Sequence, residues 1–225
     1  MANGLGSEVL WACPTISQSA SDLSGNGYDG SMINGASIVS DRDNNNGTHA
    51  FSLDGANDRI DFSYISSMNQ VSKFSVSLWA YRESASFDYY LLKGSASART
   101  PYIRSLYDGS IEATLDLSDG SSTYRQTLTG YGTGIYDEWI HLTLTWSGTK
   151  TILYANGAEI SSTTNESGLT TKTDGGRVFK IGPVNGKVDD MRVFNTDLTP
   201  DQIRHLVSHR GVENEEAVAL IDWFI

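Results

Sequence analysis

GKVDDMRVFNTDLTPDQIRHLVSHRG, residues 186–211, holds in one run a closing strand, a pair of aspartates and the one convincing helix signal of the chain. From Val188 to Phe194 the residues alternate. This puts Asp189, Met191 and Val193 on one face of a strand and Val188, Asp190, Arg192 and Phe194 on the other. Whichever face is the core, one aspartate points toward it. A carboxylate there costs several kcal/mol unless a cation or hydrogen bonds neutralise it, so the pair needs a partner. Thr199-Pro200-Asp201-Gln202 then supplies an N-cap, a proline at the first helical position and an acid near the positive helix end. Ile203, Leu206 and Val207 fall on one face of that helix, and Gly211 is a suitable stop.

Upstream of this run the chain reads as strands. Phe74, Val76, Leu78 and Ala80 share one face of a core strand, with Ser75, Ser77, Trp79 and Tyr81 on the other. Trp139 to Trp146 is the cleanest alternation, with Ile140, Leu142, Leu144 and Trp146 inward and Trp139, His141, Thr143 and Thr145 outward. Lys150 to Tyr154, Asn156-Gly157 and Glu159 to Ser161 form a hairpin around a strong turn signal. Shorter strands are expected over Glu8 to Ala12, His49 to Leu53, Arg59 to Phe62 and Phe179 to Gly182. Twenty-two glycines against four prolines suit many strands and tight turns, and 225 residues suffice for one large sandwich. The net charge of -11 argues against a nucleic-acid backbone as partner, because such binding is driven by Lys and Arg. Cys13 stands alone, so no intramolecular disulfide exists, and its Trp11-Ala12-Cys13 setting reads as core. No window approaches a membrane span, and the first residues lack the basic head and apolar run of a signal peptide.

The run Gly186-x-Val-Asp-Asp-x-Arg-Val-Phe-Asn195, followed by Leu198-Thr-Pro-Asp-Gln-Ile203, resembles the closing strand and helix of the laminin G-like group of concanavalin A-like jelly rolls. Asp22-Leu-Ser-Gly-Asn-Gly-Tyr-Asp-Gly30, Ala50-Phe-Ser-Leu-Asp-Gly-Ala-Asn-Asp-Arg-Ile60, Phe74 to Ala80, Trp139 to Trp146 and Tyr154-Ala-Asn-Gly157 look like further blocks of that family in family order. The resemblance covers residues 8 to 211. It implies an all-β fold, a two-sheet antiparallel jelly-roll β-sandwich with one short C-terminal helix. Members of the group are mostly binding and adhesion modules. The family often holds a structural calcium between the Asp-x-Ser-Gly-Asn loop and the aspartates of the closing strand. Carried onto this chain, Asp22, Asn26 and Asp190 are the expected ligands, with Asp189 an equal reading of the pair. The bland account of the loop is an Asx turn in which Asp22 bonds its own backbone.

Between Glu83 and Gly134 aromatic residues cluster in and beside turns. Tyr89, Tyr90, Tyr102, Tyr107 and Tyr124, with Arg99, Arg104 and Arg125, make the expected sugar-binding set, since rings stack on the apolar faces of pyranoses while polar neighbours bond the hydroxyls. The alternative is that strand tyrosines simply pack. The paired glutamates used by glycoside hydrolases of this fold are missing: Glu112-Ala-Thr-Leu-Asp116 has one glutamate and the wrong spacing. His141 is the candidate for lyase-type acid–base chemistry and reads as a polar strand neighbour. His205 and His209 have a metal-compatible spacing but no third ligand, and read as complements to the helix dipole.

The sequence therefore predicts a jelly roll over 1–211 and an apolar tail over 212–225, placed either as an edge strand or in a neighbouring subunit. The expected function is a non-catalytic recognition or adhesion module for carbohydrate or glycoprotein, braced by calcium, working outside the cell or on a cell or virion surface. The second expectation is a decoration protein of a virus-like particle or cell envelope that self-assembles through the tail. A glycan-active enzyme is third.

Overall fold

The computed structural model describes residues 8–40, 49–83, 87–95, 98–132 and 136–209, so the tail expected over 212–225 lies outside the described residues. In chain order the elements are β1 (Glu8–Ala12), α1 (Pro14–Ser17), β2 (Gly30–Ile33), β3 (Ser37–Ser40), β4 (His49–Asp54), β5 (Arg59–Phe62) and β6 (Phe74–Arg82). Next come β7 (Tyr89–Ser95), β8 (Ala98–Ser105), β9 (Ile111–Ser118), β10 (Thr123–Gly130) and β11 (Trp139–Trp146). The chain continues with β12 (Lys150–Ala155), β13 (Ala158–Thr164), β14 (Thr170–Thr171), β15 (Phe179–Ile181), β16 (Asn185–Phe194) and α2 (Pro200–Ser208).

The strands form two antiparallel sheets packed as a sandwich. One runs β13-β12-β11-β6-β16-β4-β3 with β1 added to β16, and the other runs β10-β9-β8-β7-β15-β5-β2 with β14 added to β9. The core forms where the alternating strands turn their apolar faces together. Phe74, Val76, Leu78 and Ala80 of β6 and Leu142, Leu144 and Trp146 of β11 meet Ile111, Ala113, Leu115 and Leu117 of β9, all buried. Each such side chain contributes about 1.5–3 kcal/mol by leaving water, which fixes the register, since a slip by one residue would exchange the two faces. Between Glu83 and Gly134, read from sequence as aromatics around turns, the described residues form β7, β8, β9 and β10 of the second sheet.

The closing strand departs from simple alternation at one residue. Asp190 has φ 47°, and the pairing of β16 with β6 shifts between Asp189 and Arg192, which marks a β-bulge. The extra residue puts Met191 in the core beside Val188 and Val193. Asp189, paired with Trp79, and Arg192, paired with Ser77, then share the outer face. The expectation that one aspartate faces the core is thereby corrected: the bulge keeps both out of it. Gly186 brings β16 close to β6, since a Cβ there would lie 2.1 Å from the Tyr81 carbonyl oxygen.

The outer face of the first sheet is itself covered. Thr199 and Gln202 close a reciprocal capping box at the start of α2. Ile203 and Leu206 then pack with Tyr154, Phe194 and Leu198 as a second small core. Cys13, at the start of α1, is buried and lies against Asp189. His141, Thr143 and Thr145 face outward as expected but are buried there, and the His141 ring meets Trp79 edge-on with centroids 5.3 Å apart.

Candidate functional site

The outer face of the second sheet carries the feature that stands out for function. In β9, Ile111, Ala113, Leu115 and Leu117 point into the core, so Glu112, Thr114 and Asp116 point the other way. Cross-strand pairing brings Arg104 opposite Glu112, Tyr102 opposite Thr114, Arg125 opposite Asp116 and Tyr89 opposite Arg104. These residues make one polar and aromatic face across β7 to β10.

At its β7–β8 end the rings form a ladder. Tyr102 and Tyr89 meet edge-on at 5.6 Å, Tyr89 and Phe87 edge-on at 5.7 Å, and Phe87 and Tyr107 tilt by 36° at 5.8 Å. The ladder runs from inside to outside, since Tyr102 is 1% exposed and Tyr107 is 72% exposed. Tyr107 stands out because it rides the β8–β9 turn. That turn is closed by backbone bonds between Leu106 and Ser110 and from Gly109 to Leu106, and Asp108 accepts from the Ser110 amide and hydroxyl. Its base is held by the buried Arg82, which donates to the Leu106 carbonyl at 2.9 Å and lies 3.9 Å from Asp88.

Arg104 threads this ladder. Its guanidinium carbon lies 4.1 Å from the Phe87 ring centroid and 4.9 Å from that of Tyr102. It donates to the Tyr89 hydroxyl at 3.1 Å and reaches Glu112 at 2.5 Å. Glu112 also accepts the Tyr102 hydroxyl at 2.6 Å. Burial opposes the Arg104 charge, yet Tyr102, Tyr89 and Glu112 together hold its pKa above the ordinary arginine value. Burial, together with the Glu112 hydrogen bond, likewise raises the Tyr102 hydroxyl. Four residues further along β9, Asp116 grips Arg125 in a fork at 2.7 and 2.8 Å, and that hydrogen bonding raises the Arg125 pKa.

Of the residues expected to bind sugar, the structure brings Tyr89, Tyr102, Arg104, Tyr107 and Arg125 to one face. Tyr90 points the opposite way into the core, where burial pushes its hydroxyl up to about 12. Tyr124 pairs with core-facing Leu117, so it leaves the sheet on the side opposite Arg125, where its hydroxyl donates to Asp119 at 2.9 Å. The Arg99 side chain lies outside the described residues. Sequence reasoning missed Glu112 and Asp116 as the partners that fix the two arginines, although the alternation of Ile111 to Ser118 carries the signal. Glu112, weighed there only against hydrolase chemistry, is engaged by Arg104 and Tyr102.

The expected calcium ligands are engaged otherwise. Asp22 accepts the backbone N–H groups of Trp11, Ser24 and Tyr28 at 3.0, 2.9 and 2.9 Å, as an Asx turn does. Asn26 donates from its side chain to the Val9 carbonyl and the Ser24 hydroxyl. Asp190 accepts from the Trp11 indole at 2.7 Å and from Arg192 at 2.9 and 3.3 Å, while the Arg192 guanidinium lies 4.2 Å from the Trp11 ring centroid. Trp11 thus links the loop to the closing strand, and Arg192 supplies the positive charge that Asp190 needs. Among the described residues no three His, Cys, Asp or Glu side chains gather as a cation site. Calcium wants roughly six to eight oxygens, and these residues do not fit it: the Asp22 and Asp190 carboxylates already hold N–H donors, the Cys13 thiol lies against Asp189, and the Arg192 guanidinium sits beside Asp190.

Residues 54–204 match the family model of the concanavalin A-like lectin/glucanases superfamily. The chain belongs to that superfamily. No curated protein matches the sequence. Among solved structures, this concanavalin A-like chain is similar to domain 4 of AbnA, a GH43 extracellular arabinanase from Geobacillus stearothermophilus, in complex with arabinotriose. The identity is 21%, the TM-score is 0.67, and 89% of this chain and 98% of that one are covered. It is also similar to the ligand-binding domain of botulinum neurotoxin serotype D in complex with N-acetylneuraminic acid, at 17% identity and a TM-score of 0.72. That likeness covers 91% of this chain and 51% of the toxin domain. The binding domain of Paraclostridial Mosquitocidal Protein 1 matches at 19% identity and a TM-score of 0.64, over 90% of this chain and 52% of that one. The chain therefore spans about half the length of these two binding domains. At these identities the likenesses establish the fold. No helix among the described residues is long and apolar enough to cross a membrane.

Proposed function

We propose that this concanavalin A-like domain is a non-catalytic carbohydrate-recognition module that binds its ligand on the outer face of the second sheet, at the Phe87/Tyr107 step. The observation that carries the reading is the ring ladder ending in the exposed Tyr107, with bonded polar groups at its foot. An exposed tyrosine is a stacking surface for the apolar face of a sugar ring, and the turn that carries it is already closed by hydrogen bonds. The arabinotriose and N-acetylneuraminic acid in the similar structures support the same ligand class. The chemistry of the face favours binding over turnover. Glu112 and Asp116 are four residues apart, about 13 Å along the strand, beyond the spacings that retaining and inverting hydrolysis use. Both carboxylates are also committed to arginines. Such a module acts outside the cell or on a cell or particle surface, where glycans are presented. A glycan array on the purified protein tests this: saturable binding to a related set of sugars, weakened by Tyr107→Ala, is expected. A blank array from folded protein would refute it.

A further inference from the structure

The carbohydrate reading leaves open which class of glycan the face accepts, and the charges on the face bear on that choice. Acidic sugars, such as sialic and uronic acids, present a carboxylate that proteins hold best with a guanidinium fork. Among the described residues, two guanidinium groups stand on this face, those of Arg104 and Arg125, and each is already joined to a carboxylate of the protein. Arg125 gives its fork to Asp116 at 2.7 and 2.8 Å, and Asp116 is fully buried behind it. Arg104 reaches Glu112 at 2.5 Å, donates to the Tyr89 hydroxyl and has a guanidinium face covered by Phe87. Two cations and two anions thus cancel across the face. A ligand carboxylate drawn to either arginine would also approach a fixed anion a few ångströms away. The chain as a whole carries a net charge of -11, which repels anions at longer range.

What the face keeps for a ligand is uncharged in character. The rings of Tyr107 and Phe87 offer apolar surface, and the Arg125 side chain is 41% exposed. That combination suits sugar hydroxyls.

Resting on the carbohydrate reading, we infer that the ligand is a neutral oligosaccharide, and that Glu112 and Asp116 determine this specificity by neutralising the two arginines that would otherwise recruit an acidic sugar. The test uses matched neutral and acidic pairs, lactose against 3′-sialyllactose and a fully methyl-esterified oligogalacturonate against the free oligogalacturonate, on a glycan array and then by titration calorimetry at low and high salt. Binding should be confined to neutral glycans and change by less than about twofold with salt. Glu112→Gln unmasks the Arg104 charge and should raise binding of acidic glycans by about tenfold or more. Asp116→Asn provides the same test at Arg125. Thermal melting of each variant confirms that it is folded before binding is scored. Preferential binding of the acidic member by the parent protein would overturn the inference while leaving the carbohydrate reading standing. Failure of either folded variant to gain acidic binding would overturn the role given to the two carboxylates. No binding of any glycan would remove the carbohydrate reading itself.

Discussion

Arg192 neutralises a carboxylate that the bulge of β16 holds at the rim of the fold, and removing it should be costly. Asp190 is 3% exposed and accepts hydrogen bonds from the Arg192 guanidinium and from the Trp11 indole. Arg192→Met keeps the aliphatic stem but deletes both guanidinium bonds and the positive charge, and also the contact of that charge with the Trp11 ring. The anion left behind loses its guanidinium partner and has almost no water. Breaking a buried pair from one side costs about 3–5 kcal/mol. For a domain of this size, where 1 kcal/mol moves Tm by about 2–4 °C, the midpoint should fall by roughly 6–20 °C. The double change Asp190→Asn with Arg192→Met removes both charges and should recover much of the loss. Thermal and urea unfolding of parent, singles and double give the coupling directly. A loss below about 1 kcal/mol for Arg192→Met, or a double variant as damaged as the sum of the singles, would refute the reasoning, because it would mean that Asp190 is solvated and independent of Arg192.

Four further outcomes follow from the same geometry. Asp22→Ala leaves the amides of Trp11, Ser24 and Tyr28 without their acceptor and should cost about 1–3 kcal/mol in urea unfolding. Melting midpoints of the parent in calcium and in chelator should coincide, because Arg192 and backbone donors occupy the expected ligand groups; a chelator-dependent drop would restore calcium to the account. Gly186→Ala sets a methyl against the Tyr81 carbonyl and should separate β16 from β6, with a loss of more than about 2 kcal/mol. Burial, with His209 and Arg192 nearby, holds the His205 pKa below 6.5. The unfolded chain therefore binds more protons as the pH falls through 6.5, and stability declines from there down to the folded pKa and then levels off. Chemical unfolding across that range should show a shallow decline that His205→Gln flattens, and an unchanged slope in the variant would contradict the assignment.

Much of this architecture can be read from β6 and β11, whose apolar and polar positions alternate without interruption, and from Thr199-Pro-Asp-Gln202, which encodes the cap of α2 locally. The bulge at Asp190 was hidden because periodicity counts residues evenly, and nothing in Val188 to Phe194 marks the one residue that takes a left-handed conformation. His141 and Thr143 do lie outward, away from the main core, but their burial was not legible. Alternation identifies two faces but not what covers the second one, and here α2 and the start of α1 lie over that face. In β8, Tyr102, Ile103 and Arg104 gave no clear period because an aromatic residue sits on the outer face and is itself buried. The neighbouring Ile111 to Ser118 alternates cleanly and would have supplied both β9 and the two carboxylates that hold Arg104 and Arg125. The calcium expectation came with the family resemblance through Asp22, Asn26 and the aspartate pair. Trp11 and Arg192, which satisfy those groups, lie where spacing alone assigns no role.

The most direct test of the account compares glycan affinity in Tyr107→Ala and Tyr124→Ala, two exposed tyrosines of which only the first lies on the ring ladder. Losing a stacked ring should cost about 1–2 kcal/mol, so Tyr107→Ala should weaken binding roughly five- to thirtyfold, with Tyr124→Ala unchanged and both melting like the parent. Equal affinities for parent and Tyr107→Ala, or a loss confined to Tyr124→Ala, would contradict a sugar site on the outer face of the second sheet.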